Sequence, residues 1–219
     1  GTVDGVLSLL PADMRSSVEL TIKDVPIVVP AGAFGGMNLL DDGVAWCTSG
    51  WTVRSIATGT RGVSGAGHCS GINQIDHPGH GVHAATWQNQ HEGQWGDVEW
   101  YTTAEAEADD FYADATTVRD VAAVEPRANI TVGEFVCVYG RRSNARNCAM
   151  QVLNVSIACG TLNRLVQMDE GFVIGGDSGG GWSNNNIAYG ATFGSCDGKD
   201  SWTVADQLDE AIGVTVPTT

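Results

Sequence analysis

Ser178 stands in VIGGDSGGGW, where five glycines and Asp177 crowd around one hydroxyl. Each glycine gives up side-chain burial and loses more conformational freedom on folding than any other residue, so such crowding needs a reason. A serine hydroxyl becomes a nucleophile only when a nearby base takes its proton and a third group holds that base in the right tautomer. Bare backbone then has a use. It can turn tightly enough for the N–H groups of Gly176 and Ser178 to aim at one spot, where they would hold the oxyanion formed when a carbonyl is attacked.

All five histidines fall between residues 68 and 91. His77, His80 and His83 lie in HPGHGVH, which has the look of a metal tract, but its Pro and Gly describe a loop rather than a preformed ligand face. No thiolate or carboxylate completes a set, so these are read as surface histidines and no metal site is expected. His68 differs: a run of small residues, GVSGAG, leads into it, and Cys69 follows at once to pin its backbone if cross-linked. Among the aspartates between His68 and Ser178, Asp97 alone sits in an aromatic, apolar setting, QWGDVEWY. A carboxylate there is expensive to bury without a partner. Asp109, Asp110 and Asp114 belong to the acidic run EAEADDFYAD, read as a solvated loop, and Asp177 belongs to the turn of the serine. The catalytic set expected is therefore His68, Asp97 and Ser178, in the chain order of the chymotrypsin-type triad rather than that of subtilisins or α/β-hydrolases.

The elements that must position these residues read as strands. WTVRSIAT, HAATWQ, VEWYTT, EFVCVYG, MQVLNVSI and IAYGATF are short β-branched or aromatic runs punctuated by Gly, Asn and Asp, the pattern of an antiparallel barrel or sandwich. SWTVADQLDEAIG reads as the one clear helix, with Thr203 and Asp206 as a capping box, Leu208 and Ile212 on one face and Gly213 closing the end. Residues 1–30 form a segment of their own, with LPADM as a helical turn and VELTIKDVPIVV as a hairpin.

The totals exclude several classes. The chain has 219 residues and a formal net charge of −15, with 11 Lys and Arg against 26 Asp and Glu, which leaves no basic stripe for nucleic acid. No apolar run approaches a membrane span, and residues 1–10 carry no positively charged leader, so a signal peptide is expected to be already absent. Six cysteines without a CxxC pair favour three disulfides and a secreted, extracellular protein, but spacing does not choose the connectivity. NIT at 129–131 and NVS at 154–156 are glycosylation sequons of the kind expected by chance in such a composition.

GAGHC, GDVEW and GGDSGGGW together resemble the chymotrypsin-fold serine peptidases, and in particular the secreted bacterial branch of α-lytic protease and the streptogrisins. AGAFGGMNLLDDGVAWCTSGWTV is similar to the mature N-terminus of that branch, FVCVYGRRSNARNC to its cysteine-closed loop, and IAYGATFGSC to its substrate-binding strand. The resemblance covers roughly residues 31–219. It implies an all-β fold of two six-stranded antiparallel barrels with a C-terminal helix: residues 31–120 carrying His68 and Asp97, residues 121–219 carrying Ser178. It also implies Cys47–Cys69 and Cys137–Cys148 bridges, leaving Cys159–Cys196, and a primary pocket walled by Phe172, Val173, Ile174, Thr192, Phe193, Gly194 and Ser195. Two departures stand out. The family often has a cysteine shortly before the serine turn, where this chain has GFVIGG, and Phe193 occupies the place of a serine that lies beneath the triad acid. The activity implied is a secreted serine endopeptidase cleaving after apolar residues, with a peptide or protein substrate, no cofactor, no nucleic-acid or membrane partner, and a monomeric state. The alternatives are a catalytically silent binding domain on the same fold and an esterase using the same triad. The mature chain of that branch begins near Ala31, so residues 1–30 are expected to be a structural extension, or else a pro-segment remnant.

Overall fold

The β-branched and aromatic runs do form strands, and their period-two alternation sorts each strand into two faces. The computed structural model describes residues 32–219; the N-terminal segment, with its expected turn and hairpin, lies outside the described residues. The first sheet runs in the order Val214–Thr215, Thr52–Ser55, Arg61–Gly65, Gly96–Thr103, Gly81–Gly93, Gln74–His77, Asn38–Asp41, Val44–Thr48. Its two ends meet because Val44–Thr48 continues through a bend at Ser49–Trp51 into Thr52–Ser55, with Gly50 N–H bonded to the Ser64 carbonyl and Ser64 N–H to that of Trp51. Counting the bent run as one strand gives the expected six, plus the C-terminal Val214–Thr215. The second sheet runs Ala145–Asn147, Cys137–Gly140, Gly181–Asn184, Ile187–Cys196, Lys199–Val204, Leu162–Met168, Val152–Cys159, with Ala123–Val124 added parallel to Ile187–Cys196. It closes where Phe135 bridges Gln151 and Val152 N–H bonds to the Glu134 carbonyl. The fold is thus two antiparallel barrels.

Each barrel has its own core. Phe34, Met37, Leu39, Ile75 and Tyr101 fill the first, and Met150, Val166, Trp182 and Trp202 the second. A third cluster, including Trp51, Val98, Trp100, Ala188, Leu208 and Ile212, lies where the barrels and the C-terminal helix meet. Truncating any of the fully buried Trp51, Trp182 or Trp202 would cost about 3–5 kcal/mol. Trp51 also spans the barrels by donating its indole N–H to the Gly190 carbonyl at 2.9 Å. The three expected disulfides are present: Cys47–Cys69, Cys137–Cys148 and Cys159–Cys196.

Three local readings are corrected. The helix covers only Leu208–Ile212, preceded by a 3-10 turn at Ala205–Gln207; Gly213 closes it at φ 73°, but Thr203 is not its cap. Thr203 is buried in the strand Lys199–Val204, and the Asp206 carboxylate instead accepts the Arg127 amide. The acidic run is only partly a solvated loop: Asp110–Tyr112 is a strand paired with Val118–Asp120, and Phe111 and Tyr112 are buried. His77 is fully buried rather than on the surface, with its ring stacked on His80 at 4.3 Å and edge-on to Phe34 at 5.2 Å. Burial lowers its pKa and so keeps it neutral.

Candidate active site

The strand Gly96–Thr103 carries Asp97 on the same face as Tyr101, toward the first core, while Val98 and Trp100 face the barrel junction. His68 lies in the turn after Arg61–Gly65, whose position is fixed by the Cys47–Cys69 bridge next to it. Asp97 is 1% exposed and spends both oxygens on His68: Oδ1 accepts the backbone N–H at 3.0 Å, and Oδ2 lies 2.6 Å from Nδ1. With the proton on Nδ1, that nitrogen donates to Asp97 and leaves Nε2 to accept from Ser178 Oγ, 2.9 Å away. The three residues, drawn from sites up to 110 positions apart in sequence, form one hydrogen-bonded chain across the junction of the barrels.

The turn around Ser178 is held from several sides. Asp177 is fully buried, its carboxylate accepting the amides of Ser143 at 2.9 Å and Ile174 at 3.1 Å. The first barrel reaches across: Thr48 N–H donates to the Ser178 carbonyl at 2.9 Å and Thr48 Oγ1 to the Gly176 carbonyl at 2.8 Å. Gly179 adopts φ 87°, and a Cβ there would strike the Thr48 carbonyl. Gly176 adopts φ 101°, where a side chain would both be strained and meet Arg142. A Cβ on Gly180 would likewise meet the Tyr139 carbonyl, so three of the five glycines answer to φ or close approach. The amides of Gly176 and Ser178 donate to nothing among the described residues, so both remain available to an incoming oxygen.

The expected pocket residues separate. Val173, Ile174, Phe193, Gly194 and Ser195 line a cavity of about 330 Å³ beside His68 and Ser178. Phe172 packs against the second core instead. Thr192 is buried, and its Oγ1 joins Trp182 Nε1 to the Gly180 carbonyl, so it braces the serine turn rather than walling the cavity. The Phe193 ring stands edge-on to His68 with centroids 5.8 Å apart.

Three buried residues escaped the sequence reading. Thr203 Oγ1 accepts the Asp97 N–H at 2.9 Å and donates to the Asp97 carbonyl at 3.1 Å, so the second barrel fixes the backbone of that acid. Asp200 accepts the amides of Phe172 and Val173 at 2.9 and 3.1 Å and so stiffens the cavity wall from behind. Glu99 is 1% exposed two residues after Asp97, and its Oε1 has no hydrogen-bond partner among the described residues. Burial pushes its pKa up to about 7, with the Asp97 charge adding to the effect.

The electrostatics of His68 follow from its contacts. Its hydrogen bond to Asp97 raises its pKa above 6.5, against an opposing effect of burial, and the charges of Asp97, Glu92 and Glu99 add to the rise. A base must be neutral to accept a proton, so any turnover that depends on His68 falls as pH drops through this raised value. The acid limb of kcat/KM is therefore expected above pH 6.5. A limb centred near pH 4 in a pH–rate profile would contradict this.

No protein-family model matches the chain, and no curated protein matches it in sequence. Its fold does match solved structures. The Thermobifida fusca protease A aligns with TM-score 0.65 at 20% identity, covering 85% of this chain and 98% of its own. A glutamic acid specific serine protease described as using a histidine triad in substrate binding aligns with TM-score 0.64 at 22% identity, over 84% of this chain and 100% of its own. The Cellulomonas bogoriensis chymotrypsin aligns with TM-score 0.63 at 21% identity, over 85% and 98%. What the chain shares with these serine proteases is the chymotrypsin-type double-barrel fold.

Proposed function

We propose that the protein is a serine endopeptidase that hydrolyses peptide bonds through an acyl-enzyme, with Ser178 as nucleophile, His68 as general base and then acid, and Asp97 as the group that orients the imidazole. The observation that carries this reading is the chain Asp97–His68–Ser178 at 2.6 and 2.9 Å, ending beside two unengaged amides at Gly176 and Ser178. His68 takes the Ser178 proton as Oγ attacks the carbonyl, and the imidazolium that forms sits against the Asp97 carboxylate. The oxyanion falls to the two amides, and the proton goes to the leaving amine; water then repeats the cycle on the acyl-enzyme. The first barrel supplies the base and its orienting acid, and the second the nucleophile. Three disulfides favour work outside the cell, in an oxidising compartment.

Among the described residues, the cavity walled by Val173, Ile174 and Phe193 carries no acidic side chain, so a Lys or Arg entering it would lose hydration without gaining a counter-ion from them. Among the histidines only His68 lines it, which gives no imidazole cluster for a glutamate. The expected specificity is an apolar residue before the scissile bond. A peptide library read by mass spectrometry tests both parts. Cleavage after apolar residues, together with a fluorophosphonate adduct on Ser178, supports the proposal; preferential cleavage after Lys, Arg or Glu overturns the specificity, and absence of adduct and cleavage favours a silent binding domain.

A further inference from the structure

Ser178 is bordered by a second cavity, larger than the first. It measures about 420 Å³ and shares only His68, Gly175 and Ser178 with the cavity of Val173 and Phe193. If the acyl part of a substrate occupies the smaller cavity, the larger one lies on the side of the leaving amine. His68 borders both, as a group must that takes a proton from the serine and returns it to the amine.

The walls of this second cavity are of two kinds. Val44 and Trp46, on the strand that the Cys47–Cys69 bridge ties to the His68 turn, are 64% and 55% exposed. An indole held half in water on a braced strand offers a large apolar contact area at little conformational cost. Facing it is Arg142, whose Cβ and Cγ pack over Gly176, within 2.9 Å of where a Cβ on that glycine would stand. The Arg142 guanidinium makes no hydrogen bond or ion pair among the described residues, although the whole chain carries a net charge of −15. No carboxylate among the described residues lines the cavity. An arginine beside the reacting centre, unengaged by any acid among the described residues, is open to a carboxylate supplied from outside, which its planar fork can grip through two hydrogen bonds.

We propose that Val44, Trp46 and Arg142 form a leaving-group subsite that selects a carboxylate within the first two residues after the scissile bond, set among apolar contacts. The proposal rests on the endopeptidase reading. The carboxylate is either an Asp or Glu side chain or the C-terminus of a short leaving peptide. Because Arg142 is exposed, the expected discrimination is modest, about fivefold, and falls with added salt.

Acyl transfer isolates this side of the site. An ester with an apolar acyl group forms the acyl-enzyme, and dipeptide amines then compete with water for it. Leu-Glu-amide is expected to capture the acyl group about fivefold better than Leu-Gln-amide, and Leu-Gln with a free C-terminus is compared with its amide to separate the two carboxylate sources. In Arg142→Gln the ratios collapse to about one, and in Arg142→Glu Leu-Lys-amide overtakes Leu-Glu-amide. Each ratio is internal to one variant, so a change in the amount of active enzyme does not affect it. Equal capture of all amines by the unaltered enzyme, or ratios unmoved by both substitutions, overturns the subsite while leaving the endopeptidase intact. Failure of the ester to acylate Ser178 removes both.

Discussion

Asp97→Asn is expected to lower kcat by about 10⁴-fold, close to the loss expected from Ser178→Ala or His68→Ala. The geometry says why an isosteric change should be so damaging. The backbone N–H of His68 needs an acceptor, and at 3.0 Å it has Asp97 Oδ1. An asparagine satisfies it only by turning its carbonyl oxygen that way, which places the amide NH2 against His68 Nδ1, where Oδ2 now lies at 2.6 Å. That NH2 can only donate, so Nδ1 must accept and the ring proton moves to Nε2. The nitrogen 2.9 Å from Ser178 Oγ then carries a proton and cannot take another. Steady-state kinetics on a peptide with an apolar residue before the scissile bond measure this, with loss of activity in the Ser178→Ala and His68→Ala controls. Near-normal kcat in Asp97→Asn would transfer the orienting role to another group.

The legible part of this molecule was the part written in local chemistry. Short β-branched and aromatic runs between Gly, Asn and Asp mark the strands, and glycines around one serine mark a turn whose φ values and close contacts do require them at Gly176 and Gly179. The argument that a carboxylate in QWGDVEWY needs a partner picked out Asp97, which is indeed buried with both oxygens engaged. What the sequence misled on was set by contacts between the barrels. Thr203 followed three residues later by Asp206 matches a helix-capping pattern, yet its hydroxyl is taken by the backbone of Asp97, 106 positions away. Phe193, which the resemblance sets at the place of a serine beneath the triad acid, has its ring beside His68, on a strand whose register against Lys199–Val204 slips between Thr192 and Gly194. Glu99 is a different case. A glutamate two residues after Asp97, on the same face of the strand and among the same aromatic neighbours, is just as expensive to bury without a partner.

Glu99→Gln is expected to raise stability at pH 8 by about 3 kcal/mol relative to the unaltered protein, and to change it little at pH 4. The folded chain holds the Glu99 proton up to about pH 7, because the carboxyl is buried near Asp97, while an unfolded chain releases it near 4.5. Between those values the folded state binds more protons than the unfolded one, so this residue makes stability fall as pH rises, and the loss is complete above about pH 7. Glutamine fills nearly the same volume and carries no such charge, so the slope disappears. Denaturant unfolding from pH 4 to 9 measures it, in a Ser178→Ala background that removes self-digestion; parallel curves for the two proteins would show that Glu99 does not titrate late. The groups facing Glu99 predict a second consequence. Tyr101 is kept protonated by burial and contributes no charge, Asp97 and Glu92 are acids, and His68 is the neighbouring base. Once ionised, Glu99 adds a negative charge that favours the His68 imidazolium, part of what raises the pKa of that histidine. Removing it should move the acid limb of kcat/KM to lower pH with the apolar preference before the scissile bond unchanged, a shift that a merely space-filling residue would not produce.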